Sequence, residues 1–194
     1  MMVRSRLAIS VAVLLTFGAV SAREQQAGEL IERTMAIVGG QVLTLSDVRA
    51  AITLGLVSGV ETSADVSEVT PKLVDRMLML REVQRYAPPE PPESDIERRL
   101  TVARDRFTTP DLYLRALQSA GFTEARLRAW IRDDLRVASY LNQRFAAVVA
   151  PTDVAGSDPA RERAAVDRRA ALIADWIQDL RRRTTIVELW KNPE

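Results

Sequence analysis

ERTMAIVGGQVLTLSDV occupies residues 32–48, and its reading decides the fold. Met35–Val38 and Gln41–Thr44 are two short strand-like runs separated by Gly39-Gly40. A Gly-Gly pair accepts the positive φ angles of a type I′ turn, so the run reads as a tight β-hairpin. A two-residue turn also sets the register, with Ile37 opposite Val42 on one face and Ala36 opposite Leu43 on the other. Both faces are partly apolar, which predicts that both are covered. Thr44 or Ser46 then caps a helix over about residues 46–57, with Asp47 in its first turn near the positive dipole end. An isolated two-stranded ribbon is marginal in water. The hairpin therefore needs a third strand or a packing surface from elsewhere.

The best candidate is TTIVELW at residues 184–190, β-branched and aromatic in the manner of a strand. Pairing with the hairpin would put Val187 and Leu189 on one face and Ile186 and Trp190 on the other. Nearly everything between reads as helix. A central helix over about 69–86 carries Leu73, Met77 and Leu80 in one stripe and Val74 and Leu78 in a second, a face wide enough to touch more than one neighbour. APPEPPE (87–93) cannot be helix interior and forms a stiff elbow. Ser94 is the expected cap of a short helix bearing Ile96, Leu100, Ala103 and Phe107. Thr109-Pro110-Asp111 starts another, which stops at Gly121. Thr123 opens what should be the longest helix, with Leu127, Ile131, Leu135, Ala138, Leu141, Phe145 and Val148 along one face over roughly 40 Å. APTDVAGSDPA (150–160) has the composition of a linker. A last helix over about 161–183 places Leu172, Ile173, Trp176 and Leu180 together. The fold class is mainly α: a multi-helix domain with a small antiparallel sheet made from an N-terminal hairpin and the C-terminal strand.

The N-terminus has a different character. Arg4 and Arg6 precede Leu7–Val20, 14 residues without a charge, and Val20-Ser21-Ala22 supplies small residues. This is the pattern of a secretory signal peptide, and the run is short of the ~20 apolar residues of a membrane span. Residues 1–22 are expected to be removed, leaving 23–194 as one domain without stable membrane insertion. The two leader arginines account for the +1 net charge; the remainder holds 25 basic and 26 acidic residues, net −1. That balance does not suit a nucleic-acid binder. With no cysteine and no histidine, disulfides, a lipid-modified cysteine, and the commonest general base and metal ligand are all missing. No glycine-rich phosphate loop appears. No cofactor, metal site or catalytic residue is expected.

The order of these elements resembles the SurA-type periplasmic chaperones, related through their N-terminal module to parvulin-containing foldases. The resemblance lies in the leader, AIVGGQVLTLSDV, LVDRMLMLREVQRY, PPESDIERRL, AGFTEARLRAWIRDDLRVASYLNQRF and WIQDLRRRTTIVELW, which together cover most of residues 34–190. It implies a periplasmic domain in which the N-terminal module and a C-terminal helix and strand hold unfolded outer-membrane proteins. In that family parvulin-type isomerase domains are inserted between the two pieces. Here only the linker near 150–160 stands in that place, and the histidines typical of parvulin sites are missing. The resemblance therefore implies the chaperone module without the isomerase.

On this reading Met79, Tyr113, Phe122 and Trp130 are the candidate substrate-binding residues. Methionine adapts to varied partners, and aromatic side chains on a concave surface grip extended peptides. The competing reading is structural: Met77 and Met79 fill a core, and the three rings seal one helix against its neighbours. Trp176 and Trp190 read as structural. Asp133-Asp134 and Glu93-x-Asp95 do not make acid pairs, since adjacent helical residues point apart. Arg181-Arg182-Arg183 complements a helix C-terminus or meets an acidic partner. The expected function is an ATP-independent holdase for unfolded outer-membrane or exported polypeptides, with an isomerase or assembly machinery as a separate partner. An assembly subunit with one folded partner is the alternative; a prolyl isomerase ranks last.

Overall fold

The computed structural model describes residues 33–57, 59, 61, 63–148 (the backbone only at 148) and 159–191. The expected leader, and residues 150–158 of the expected linker, lie outside them. β1 (Thr34–Val38) and β2 (Gln41–Thr44) form the hairpin, followed by α1 (Leu45–Thr53), α2 (Val66–Tyr86), α3 (Glu93–Arg104), α4 (Pro110–Ser119), α5 (Glu124–Arg144), a single 3-10 turn at Ala146–Val148, α6 (Pro159–Arg183) and β3 (Ile186–Glu188).

Gly39 and Gly40 both take positive φ, 54° and 88°, as the type I′ turn requires. Ile37 pairs with Val42 and Ala36 with Leu43, the register set by the turn. A bulge at Met35 shifts the register between Thr34 and Ala36. β3 lies antiparallel to β1 on its other side, with Ala36 opposite Glu188, Ile37 opposite Val187 and Val38 opposite Ile186. The strand order is β2-β1-β3, so the hairpin's missing neighbour is the strand that follows α6. Backbone bonds extend the pairing at both ends, from the Gly39 N–H to the Thr185 carbonyl and from the Leu189 N–H to that of Met35, each 2.9 Å.

Two hydrophobic cores lie beneath this frame. The first packs the inner sheet face (Ala36, Val38, Leu43) on α1, α2, the C-terminal half of α5 and the end of α6, with Leu73, Val74, Leu78, Tyr140, Trp176 and Leu180 buried. The second joins Ala50 and Leu54 at the end of α1 to α3, α4 and the N-terminal half of α5 through Ile96, Leu100, Tyr113, Leu117, Phe122, Leu127 and Ile131. α1 and α5 each serve both.

The helix ends follow local chemistry. Thr44, rather than Ser46, is the cap of α1: its hydroxyl accepts from the Asp47 N–H while the Asp47 carboxylate accepts from the Thr44 N–H, a reciprocal pair that satisfies two orphan donors. Arg126 of α5 holds the other Asp47 oxygen at 2.9 Å. Thr109 and Thr123 cap α4 and α5 through their hydroxyls. Ser94 does not cap α3; Pro92 occupies that position and accepts the Asp95 N–H through its carbonyl, leaving Ser94 inside the first turn.

Four other expectations are corrected. α2 starts a turn earlier than expected, at Val66 with Pro71 inside it; the buried Thr70 hydroxyl donates to the Val66 carbonyl. α5 ends at Arg144 after 21 residues, roughly 31 Å, and α6 with 25 residues is the longer helix. The buried face of α5 is also not the continuous stripe expected, because Val137 and Tyr140 are inside while Ala138 is exposed. The helix leaves the second core and enters the first, so the side it presents rotates. Finally, among the described residues only the inner sheet face is covered. Val42 and Val187 stand 52% and 42% exposed on the outer face.

Candidate functional site

Tyr113 and Phe122 are interior residues, each 5% exposed. The Tyr113 ring packs on Phe107 with centroids 5.8 Å apart. Its buried hydroxyl stands beside Arg104 and Glu124 without a hydrogen bond of good geometry, and burial raises it above the ordinary tyrosine range. Phe122 lies against Trp130 at 6.1 Å and beneath the Arg126 guanidinium at 4.4 Å. Neither ring is open to solvent; both seal the second core.

Trp130 sits where the two cores meet, half-buried and touching both. The Arg76 guanidinium covers its ring at 3.5 Å, a cation–π contact strengthened by partial desolvation. Arg76 also binds Asp134 at 2.7 Å and donates to the Trp130 carbonyl. Desolvation raises the Asp134 carboxyl above its ordinary range, with Arg76 pulling the other way, though part of that side chain still meets solvent. Asp134 thus anchors a structural arginine. Met79 is half-buried against the first core, as is Met77. Of the four candidates, the structure brings Phe122 and Trp130 together and leaves Met79 and Tyr113 apart, in different cores.

The expected roles of the charged runs resolve similarly. Arg181 binds Asp75 at 2.6 Å and Glu188 at 3.5 Å, which fastens α6 to α2 and to β3. On α5, Arg128, Arg132 and Arg136 recur every fourth residue and so share one face. Arg128 pairs with Glu93 and Glu97, and the other two approach Glu90. The proline elbow is thereby held against α5, as a stiff turn.

The open apolar surface lies elsewhere. Register places Val42, Ile37 and Val187 in one row across the three strands, and Leu189 continues the exposed side of the last one. Leu112 and Leu114 on α4, Val102 on α3, and Val166 and Leu172 on α6 are also exposed. The outer-sheet row was visible in the strand alternation; what the sequence could not supply was the absence of a cover among the described residues. No group of histidine, cysteine, aspartate and glutamate there could hold a metal ion, and no helix there is long and apolar enough to cross a membrane. No protein-family model matches the chain, and no curated protein matches it.

Proposed function

We propose that the chain is an ATP-independent periplasmic holdase, exported by its N-terminal segment, that shields unfolded outer-membrane or exported polypeptides. The observation that carries this reading is the distribution of exposed apolar side chains. They stand on the sheet at Val42, Val187 and Leu189, on α4 at Leu112 and Leu114, and on α6 at Val166 and Leu172. Each would make a weak contact, and an extended chain alternating apolar and polar residues, as barrel strands do, could collect several. Charged side chains between them would keep such a complex in solution. The order of elements supports the same reading: a hairpin closed by a late helix and strand is the arrangement implied by the SurA resemblance.

The test dilutes a urea-denatured outer-membrane barrel protein into buffer containing the full chain expressed with its own N-terminal segment. Light scattering is followed without nucleotide, and proline isomerisation is followed in parallel. The expected result is suppressed aggregation with no isomerisation. Unchanged aggregation at several-fold excess would overturn the proposal. One observation favours the alternative of a dedicated assembly partner. The Val42–Ile37–Val187 row is contiguous rather than scattered, and a compact apolar patch suits one folded partner.

A further inference from the structure

Beyond the tip of the sheet, between α2 and α6, lies a cavity of about 440 Å³ whose walls are basic. Arg81 and Arg85 enter from α2, one turn apart, and Arg183 from the end of α6. The hairpin turn and Thr184-Thr185 close the remaining side.

The charges do not cancel. Among the described residues Glu82 is the one carboxylate in the wall, its side chain 8% exposed, and it is held by Arg183 at 3.3 Å and Arg85 at 3.5 Å. Among the described residues Arg81 pairs with no carboxylate; its guanidinium donates to the Gly39 carbonyl at 2.5 Å. Asp179 also holds Arg183 but is shared with Arg182, and neither Asp179 nor Arg182 lines the cavity. The C-terminal ends of α2 and α6 each bring about half a negative charge nearby. Three guanidiniums against one carboxylate and two helix ends still leave the wall positive by roughly one charge.

The turn is shaped around this wall. A Cβ on Gly39 would meet the Arg81 Nη1 at 2.0 Å. Glycine is needed there for its φ, and a side chain would displace the flexible end of Arg81. Guanidinium forks and threonine hydroxyls offer the donors that an oxyanion accepts from. We infer that this cavity is a binding site for an oxyanion, a carboxylate or phosphate group, held by Arg81 and Arg85 with Arg183 and the threonine hydroxyls. The inference does not depend on the holdase reading.

The test uses the full chain, labelled with ¹⁵N. The Gly39 and Gly40 amides stand in the cavity wall and report binding there. The probes are inorganic phosphate, acetate, and a short apolar peptide as its free acid and as its C-terminal amide. Saturable shifts of these amides are expected, with a Kd of about 1 mM or below for the best probe. Arg85→Gln alters an arginine whose side chain is 71% exposed and leaves Arg183 on Glu82; Arg81→Gln is the second variant. Each should weaken binding about tenfold. Tighter binding of the free-acid peptide than of its amide assigns the site to polypeptide carboxylates. Tighter binding of phosphate than of any carboxylate assigns it to a small free anion. No saturable shift with any probe, or undiminished binding in both variants, would overturn the inference.

Discussion

The two cores are built from different kinds of neighbour. The second draws mainly on α3, α4 and the first half of α5, which follow one another between residues 93 and 131, with a contribution from the end of α1. Its contacts close short loops. The first core joins Met35 and Val38 to Trp176, Leu180, Ile186 and Trp190, residues from opposite ends of the described chain. It is also fastened by long-range ion pairs, Arg181 to Asp75 and Arg183 to Glu82. Loop closure costs more entropy as the loop lengthens, though only slowly. The comparison teaches that the sheet side depends on distant pieces staying docked, while the α3–α4–α5 side carries more of its own support.

The largest effect should come from Trp176→Ala. Its ring meets Tyr140 at 5.7 Å and Phe145 at 6.3 Å, and its loss should cost about 4 kcal/mol in urea unfolding. Hydrogen exchange in β1, β2 and α6 should accelerate more than in α3 and α4. Equal acceleration everywhere would mean that the two cores unfold as one, and would break the comparison. Leu127→Ala, at a fully buried position of the second core, should cost about 3 kcal/mol and loosen α3 and α4 first; early exposure of the sheet instead would reverse the assignment.

Gly39→Ala sharpens the picture at the turn. The left-handed backbone should cost about 1–2 kcal/mol, and Arg81 must also move. A midpoint unchanged in urea would show that the turn relaxes freely. Thr44→Ala removes the hydroxyl of the capping pair and should cost about 1 kcal/mol, measured the same way. Val187→Ser, on the open sheet face, should leave stability within about 0.5 kcal/mol. If the outer row contacts clients, the same variant should suppress aggregation less well than the parent chain.

Much of the fold was legible because short-range chemistry specified it. Gly39-Gly40 implied the turn and the register, and the β-branched run at 184–190 stood out in a chain of helices. Thr109 and Thr123 marked helix starts correctly. The failures have a common physical cause. Ser94 looks like a cap until Pro92 takes the position. The face of α5 was only partly followed past Leu135: Leu141 and Phe145 pack on the first core as expected, but the helix changes cores and a fixed stripe does not anticipate Val137 and Tyr140. Tyr113 and Phe122 illustrate a deeper limit: an aromatic ring that seals two helices and one that grips a peptide occupy the same kind of sequence position. The basic cavity was the least legible of all. Arg81 and Arg85 share a helix face, but Arg183 reaches them only because α6 folds back, and the run Arg181–Arg183 reads as an ordinary helix end.

The strand order also sets a timetable. β1 is the middle strand, yet β3 follows it by roughly 150 residues, and a ribosome adds about 5–20 residues per second. The hairpin would emerge first and remain without its second neighbour for about 7–30 seconds. During that interval β1 offers an unpaired backbone edge to any passing strand. Until β3 docks, that edge is the part of the sheet open to pairing with another chain.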